Sequence, residues 1–249
     1  MKVKNILVSQ PEPLELDKSP YGDLIRKYSV NIDFHKFFKV EGISSREFRN
    51  DKVYLNEFSA VIFNSKNAVD NFFRIAKEVR VEIPESMKYF CISESIAYYL
   101  QKYVQFRKRK IFHGDQNLVQ LMEVIKKHRT EKFLLPCSDV HNKDLPNLLE
   151  DSKIEYREAI LYRTVSDDLS SINMDKYDLF VFFSPQGIKS LFNNFPDFLQ
   201  GTKLIATFGP STATAASEAG LVVEIMAPTN TAPSMTMAID QYLAKNNRK

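Results

Sequence analysis

Two serines, Ser65 and Ser184, each stand where an apolar run gives way to a helical pattern. They lie in the segments Phe58–Phe73 and Tyr177–Phe192, which look like two copies of one device. A hydroxyl at a helix N-terminus is a natural anion site, because free backbone N–H groups and the helix dipole point there. The pair therefore predicts two similar domains that face one polyanionic ligand.

A third turn of this kind is Phe208-Gly-Pro-Ser-Thr-Ala213. Its glycine permits close backbone approach, its proline suits a first helical turn, and Ser211 or Thr212 can cap the helix or bind an anion. Alone, the turn is equally consistent with an ordinary capped helix. The neighbouring strand end at Ser184-Pro-Gln-Gly187 favours a ligand, since ligands bind at the carboxyl ends of parallel strands.

The chain lacks the motifs that several other familiar kinds of site require. The chain has no GxGxxG, GxxxxGK[ST] or GxSxG motif, which argues against a dinucleotide fold, a P-loop or a nucleophile elbow. Its four histidines are scattered without ligand spacing, so we expect no metal site. The predicted strand ends carry hydroxyls and amides. Such groups bind carboxylates and leave the covalent chemistry largely to the substrate.

The composition is that of an ordinary globular protein, with 249 residues, 44% hydrophobic and 26% charged. A net charge of +3 suits an acidic small molecule and falls short of a nucleic-acid binder. The basic run Arg107–Lys110 is typical of a solvated loop, and Cys91 and Cys137 are typical of buried reduced thiols. With neither a signal peptide nor a run near the ~18 residues of a membrane span, we expect a cytoplasmic protein with no membrane partner.

Short apolar runs alternate with amphipathic helical stretches such as Asn117–His128, which is the pattern of βαβ units and parallel sheets. Ten runs are too many for one sheet in a chain of this size and divide into two sheets of five. The predicted strands are Asn5–Val8, Asn31–His35, Ala60–Phe63, Tyr89–Ile92, Lys110–Phe112, Lys132–Leu135, Glu155–Glu158, Leu179–Phe183, Lys203–Phe208 and Val222–Ile225.

The order of the repeated units predicts a discontinuous first domain. Residues 1–37 and 166–249 would form one domain, and residues 38–165 the other. The chain would cross between them near Phe38–Ile43 and Leu161–Ser166, side by side as an extended connector.

Five short motifs occur in an order and spacing that resemble the uroporphyrinogen-III synthase family over essentially the whole chain. The motifs are Val61-Ile-Phe-Asn-Ser-Lys-Asn-Ala-Val69, Leu161-Tyr-Arg-Thr164, Val181-Phe-Phe-Ser-Pro-Gln-Gly-Ile188, Ala206-Thr-Phe-Gly-Pro-Ser-Thr-Ala213 and Pro228-Thr-Asn-Thr231. The resemblance implies an α/β protein with two flavodoxin-like parallel-sheet domains, joined by a two-stranded connector. The first domain of that fold is built from both chain ends.

The resemblance also implies a cofactor-free lyase that binds no metal. Its substrate would be hydroxymethylbilane, a linear tetrapyrrole with eight carboxylates, held in the cleft between the domains. Loss of the hydroxyl gives an azafulvene, which attacks the far ring, and a spiro intermediate then recloses with that ring inverted to uroporphyrinogen III. We expect a monomer that makes at most transient contact with hydroxymethylbilane synthase.

Residue roles carry over from the family motifs. Tyr162 matches the tyrosine that assists departure of the hydroxyl, although a phenol is a weak acid at neutral pH; a connector aromatic packed between domains is the alternative. The positions expected to hold substrate carboxylates are Ser65, Lys66, Asn67, Ser93, Ser184, Pro185, Gln186, Gly187, Gly209, Pro210, Ser211 and Thr212.

The chain departs from the family pattern in its middle segment. The turn Ser93-Glu-Ser-Ile-Ala97 lacks glycine and threonine, and Glu94 would repel a carboxylate. Lys143 is the nearest substitute for an expected arginine. Two alternatives stay open: a non-catalytic module that binds a tetrapyrrole or another polyanion, and a two-lobed solute-binding protein, which the missing export signal disfavours.

Overall fold

The computed structural model describes residues 2–105, 107, 109–114 and 118–247. Lys108 of the basic run and Asn117, where a helix is predicted to begin, lie outside them. In chain order the strands are β1 (Asn5–Val8), β2 (Asn31–Phe34), β3 (Phe38–Gly42), β4 (Ala60–Phe63), β5 (Lys88–Cys91), β6 (Ile111–His113), β7 (Phe133–Ser138), β8 (Tyr156–Ser166), β9 (Leu179–Phe182), β10 (Leu204–Phe208) and β11 (Ile225–Ala227). The α-helices are α1 (Pro20–Tyr28), α2 (Ser45–Asn50), α3 (Lys66–Glu78), α4 (Glu94–Leu100), α5 (Leu118–Lys127), α6 (Asp144–Asp151), α7 (Pro185–Asn194), α8 (Pro210–Glu218) and α9 (Met235–Asn246).

The chain divides into two compact units. Unit 1 comprises Met1–Lys39 and Val165–Lys249, and unit 2 comprises Val40–Thr164. Strands β3 and β8 are neighbours in one sheet, and each crosses the boundary between the units.

Unit 1 is a five-stranded sheet with helices on both faces, in the order β11-β10-β9-β1-β2. The strands pair in parallel, for example with Val8 opposite Val181. Successive residues of a strand point to opposite faces, so Ile6 and Val8 pack in the cluster that includes α9, while Leu7 packs in the cluster that includes α7. Burial on both faces explains the continuous apolar runs of these strands.

Unit 2 contains a six-stranded sheet in the order β3-β8-β7-β4-β5-β6, with parallel pairing from β4 through β8. Val61 and Phe63 of β4 pack against α3 and α4, and Ala60 and Ile62 pack against α5 and α6. The carboxyl ends of β4, β5 and β7 therefore lie side by side at one edge of the sheet.

The predicted α/β class with parallel sheets is confirmed, but two details of the strand prediction are wrong. The sheets have five and six strands because β3 lies beside β8 as an edge strand. The last strand covers Ile225–Ala227 instead of Val222–Ile225. Val222 is 64% exposed, and its N–H bonds the side chain of Gln200, so it does not join the ladder. Among the described residues, no helix has the length and apolar character needed to cross a membrane.

Candidate functional site

Ser65 links strand β4 to helix α3 in unit 2. It has an extended backbone at the N-cap, and its Oγ accepts a hydrogen bond from the N–H of Ala68 at 3.1 Å. No acidic residue stands in the first turn of α3. The remaining free N–H groups of that turn can therefore meet a carboxylate without like-charge repulsion.

Tyr162 lies beside this helix start, although it is far from Ser65 in sequence. Its hydroxyl is 3.0 Å from Ser65 Oγ. The register between β7 and β8 shifts after Cys137, so that Ser138 pairs with Tyr162 instead of Leu161. The resulting irregularity turns the Tyr162 ring toward the α3 face, where it packs in the cluster that contains Phe63 and Phe72.

The environment of Tyr162 keeps its phenol protonated. Burial raises its pKa above the ordinary value of 10.0, and the hydrogen bond with Ser65 only partly offsets that effect. Ser65 Oγ already accepts from Ala68, so its own hydrogen can be donated to the phenol oxygen. In that arrangement the Tyr162 O–H is free to donate to a ligand.

Lys66 and Asn67 follow Ser65 on the exposed side of the first turn. The Nζ of Lys66 lies 5.3 Å from the centre of the Tyr99 ring, and this cation–π contact leaves the ammonium able to meet an anion. Just before Ser65, the Oδ1 of Asn64 is buried without a hydrogen-bond partner. Asn64 was not among the predicted site residues, although it stands at a strand end and within the motif Val61–Val69.

Ser93 occupies the equivalent position at the end of β5, next to β4, but its geometry differs. It is 7% exposed, its hydroxyl lies 3.0 Å from Ser95 Oγ, and it makes no side-chain cap bond to α4. Glu94 is exposed in the first turn of the same helix. The start of α4 is therefore less suited to binding an anion than the start of α3.

Unit 1 repeats the arrangement at Ser184. Ser184 caps α7 by accepting from the N–H of Gly187, and the first turn again has no acidic residue. A Cβ at Gly187 would stand 3.3 Å from the Phe182 ring and 3.5 Å from Ser9 Oγ, so this glycine lets the helix pack against the end of β1. Pro185 is exposed and Gln186 half-buried at the start of the helix.

The turn after β10 is shaped by Gly209, whose φ of +87° and ψ of 150° suit glycine. Pro210 begins α8 and is exposed, as is Ser211. Thr212 is 1% exposed, so Ser211 is the hydroxyl of this pair that is open to a ligand. Phe183 precedes the turn at Ser184, and Phe208 precedes the turn at Gly209. Their rings lie 5.8 Å apart and form an apolar surface between the two turns.

Arg74 of α3 is a positioning residue that the sequence did not reveal. One of its terminal nitrogens donates to the carbonyl of Ile43 at 2.9 Å and to the carbonyl of Leu161 at 3.2 Å. Its Nε donates to Asn71 Oδ1 at 3.0 Å. Arg74 thereby ties α3 to the residue that precedes Tyr162.

His141, one of the four histidines for which no metal site is expected, lies among other side chains of the kinds that bind metals. Its Nε2 lies 3.1 Å from a carboxylate oxygen of Glu158, and Cys137 belongs to the same cluster. The Cys-x3-His spacing of 137 and 141 was a visible signal, but Glu158 reaches it only through the pairing of β7 with β8. The ammonium of Lys143 donates to both oxygens of Glu158 at 3.0 Å and so belongs to the same cluster.

Comparison with known proteins agrees with this architecture. A family model described as uroporphyrinogen-III synthase HemD matches residues 21–237. No curated protein matches the chain significantly. The solved uroporphyrinogen-III synthetase of Helicobacter pylori has 16% identity and a TM-score of 0.59, covering 98% of this chain and 100% of its own. A mutant uroporphyrinogen III synthase of the extremely thermophilic bacterium Thermus thermophilus has 14% identity and a TM-score of 0.53, with the same coverage. At these identities the two structures are similar in fold.

Proposed function

The chain belongs to the uroporphyrinogen-III synthase family, and we propose how its side chains perform that reaction. The enzyme closes hydroxymethylbilane to uroporphyrinogen III, with inversion of the last pyrrole ring and loss of water. The family match over residues 21–237 is the observation that carries this function.

Tyr162 is the group proposed to assist departure of the substrate hydroxyl. A neutral phenol can donate a hydrogen bond to the leaving oxygen, which stabilises the charge that develops as the C–O bond breaks. The burial of Tyr162 supports this role, because it keeps the phenol protonated at neutral pH. The bond to Ser65 supports it further by fixing the direction of the phenol.

The substrate carboxylates are proposed to bind at the strand ends of each unit. In unit 2 the start of α3 offers Ser65, Lys66 and Asn67, with Ser93 at the neighbouring strand end. In unit 1 the starts of α7 and α8 offer two clusters, Ser184-Pro-Gln-Gly187 and Gly209-Pro-Ser-Thr212. Each hydrogen bond from an N–H or hydroxyl group to a carboxylate contributes roughly 1.5–3 kcal/mol, so several together can orient a substrate with eight carboxylates.

The proposal extends to how the enzyme works in the cell. It acts as a cytoplasmic monomer without a cofactor and receives hydroxymethylbilane through transient contact with the synthase that makes it. The neutral donors at the strand ends support cofactor-free catalysis, since the reaction needs polarisation and orientation and involves no redox change.

An isomer assay tests the function directly. Hydroxymethylbilane generated in place by its synthase is supplied with and without the protein, in the presence of a metal chelator, and the oxidised porphyrins are separated by chromatography. Unaided closure yields isomer I, so we expect isomer III only when the protein is present. Isomer I alone, from folded protein at high concentration, would overturn the enzymatic function and favour a binding module.

A further inference from the structure

A mixed cluster of sulfur, nitrogen and oxygen donors lies in unit 2. Ligand atoms of Cys137, His141 and Glu158 all fall within 4.8 Å of one another. Cys137 comes from β7, His141 from the loop that follows, and Glu158 from the adjacent strand β8. Cys137 is fully buried, and the side chains of His141 and Glu158 are 10% and 29% exposed, so the cluster is partly shielded from water and open on the Glu158 side.

The orientation of His141 is fixed by the backbone. Its Nδ1 lies 2.8 Å from the carbonyl oxygen of Ser138, which can only accept a hydrogen bond. The Nδ1–H therefore donates this bond, and Nε2 lies 3.1 Å from Glu158 Oε1, a separation at which a proton or a cation must stand between the two atoms. A ring held through one nitrogen by a carbonyl, with the other directed at a carboxylate, has the geometry of a metal-binding histidine.

A cation already occupies the space between these acceptors. The ammonium of Lys143 lies 3.1 Å from His141 Nε2 and 3.0 Å from each carboxylate oxygen of Glu158. The Lys143 side chain is 57% exposed, so it can leave the cluster for water without disturbing packed residues. The cluster therefore has a cation position whose occupant can be exchanged.

We propose that Cys137, His141 and Glu158 form a binding site for a divalent zinc-type cation, with Lys143 as the exchangeable occupant. A thiolate, an imidazole and a carboxylate together suit Zn²⁺ better than Mg²⁺ or Ca²⁺, which prefer oxygen ligands. Water supplies the fourth ligand. Binding releases the Cys137 thiol proton to solvent and moves the Lys143 ammonium away from Glu158, and nothing is oxidised or reduced.

The bound ion would link β7 to β8 at the point where their register shifts. Cys137 is the last residue before that shift, and Ser138 pairs with Tyr162 immediately after it. The site does not depend on the proposed function, because its ligands are separate from the residues assigned to the substrate. A structural role for the ion is consistent with enzymatic turnover in the presence of a chelator.

Cobalt substitution tests the site. The full chain, freed of metal with a chelator, is titrated with Co²⁺ while its absorption spectrum is recorded. We expect a thiolate-to-cobalt charge-transfer band together with the d–d bands of tetrahedral cobalt, both removed by added Zn²⁺. Cys137→Ser should lose the charge-transfer band, whereas Cys91→Ser, at the other buried free cysteine, should keep it. No band in the unaltered protein, or a band that survives in Cys137→Ser, would overturn the proposal.

Three further variants keep the test decisive if Cys137→Ser folds poorly. His141→Gln and Glu158→Gln should each weaken Co²⁺ binding by more than about tenfold. Lys143→Met should strengthen it severalfold, because the competing ammonium is gone, whereas Lys126→Met on the exposed face of α5 should not change it. Unchanged affinity in all three cluster variants would show that the ion binds elsewhere.

Discussion

Ser65 Oγ and the hydroxyl of Tyr162 lie 3.0 Å apart, which joins the N-cap of α3 to the interior of strand β8. Ser65 takes part in two bonds at once, since the Ala68 N–H also donates to it. Tyr162 reaches this position because the register of β8 shifts against β7 just before it. The pair places a buried phenol beside the capped start of α3.

Tyr162→Phe removes the proposed donor while leaving the ring in its packing. We expect kcat for isomer III formation to fall by roughly tenfold to a hundredfold, with KM changed less than about twofold. Tyr156→Phe is the matched control, because Tyr156 lies on the same strand with its hydroxyl on Glu150. Equal rates in Tyr162→Phe and the unaltered enzyme would remove Tyr162 from the mechanism.

Ser65→Ala tests the partner of this pair. Loss of the N-cap should lower the free energy of unfolding by about 1 kcal/mol. Ser44→Ala is the control, since Ser44 caps α2 by accepting from the Glu47 N–H at 3.1 Å and has no bond to Tyr162. Denaturant titration should show similar losses in both variants. Only Ser65→Ala should also slow isomer III formation; equal activity in the two would mean that Ser65 is a cap and nothing more.

The serine-capped turns from strand to helix can be predicted from the sequence because the residues that form them are contiguous. Ser65 and Ser184 both cap their helices as expected, since an apolar run, a serine and a helical pattern are contiguous in the chain. The bond from Ser65 to Tyr162 could not be predicted in the same way. It depends on which strands are neighbours and on a register shift that no single segment encodes.

The same distinction explains the wrong strand bounds and the contacts that the sequence did not show. Val222 and Val223 look like a strand, but the ladder with β10 starts only at Ile225, where the backbone pairs with Ala206. Glu158 joins Cys137 and His141 through the sheet and not through sequence spacing. Contacts made across strands could therefore be found only in the structure, whereas helix caps and turns could be predicted from the sequence.

Gly209→Ala probes the turn before α8. At φ +87° and ψ 150° an alanine is strained by roughly 1–3 kcal/mol. Gly201→Ala, at φ +52°, should cost only about 1 kcal/mol. Neither added Cβ meets an atom within 4 Å, so strain and not collision separates the two variants. Thermal unfolding should order them this way, and only Gly209→Ala should raise KM for hydroxymethylbilane. An unchanged KM would place the substrate away from this turn.

Glu131→Gln tests a pH-dependent contribution to folding. Burial raises the pKa of Glu131, but hydrogen bonds from Lys88 and Ser59 and the Lys88 charge outweigh it, so the pKa lies below the ordinary 4.5. Because the folded pKa is depressed, the stabilisation is present above pH 4.5 and is lost as pH falls through the folded value. The 2.6 Å bond joins a Lys88 side chain that is 29% exposed to a Glu131 side chain that is 18% exposed, so we expect a loss of about 1 kcal/mol at neutral pH.

Urea denaturation at several pH values measures this difference between the Glu131→Gln and unaltered proteins. The gap should narrow as pH falls below 4.5 and close once pH lies below the folded pKa, where the carboxyl is protonated in both folded and unfolded chains. Glu57→Gln, at an exposed carboxyl, should give a pH profile like that of the unaltered protein. A gap that persists in acid would mean that the side chain acts through packing and not through its charge.

Glu94→Gln tests two opposite effects of one charge, which should stabilise α4 and weaken the binding of an anionic substrate at its start. Glu94 lies in the first turn, where its charge favours the helix dipole, so the variant should lose about 0.3–1 kcal/mol of stability. The same charge repels carboxylates at the strand end next to Ser65, so KM for hydroxymethylbilane should fall by about twofold to fivefold at low ionic strength. Added salt should shrink that gain, because it screens the repulsion. Glu123→Gln on the exposed side of α5 is the control, and its KM should not change. If Glu94→Gln leaves KM unaltered at low salt, the start of α4 is not part of the substrate site, and binding in unit 2 centres on Ser65.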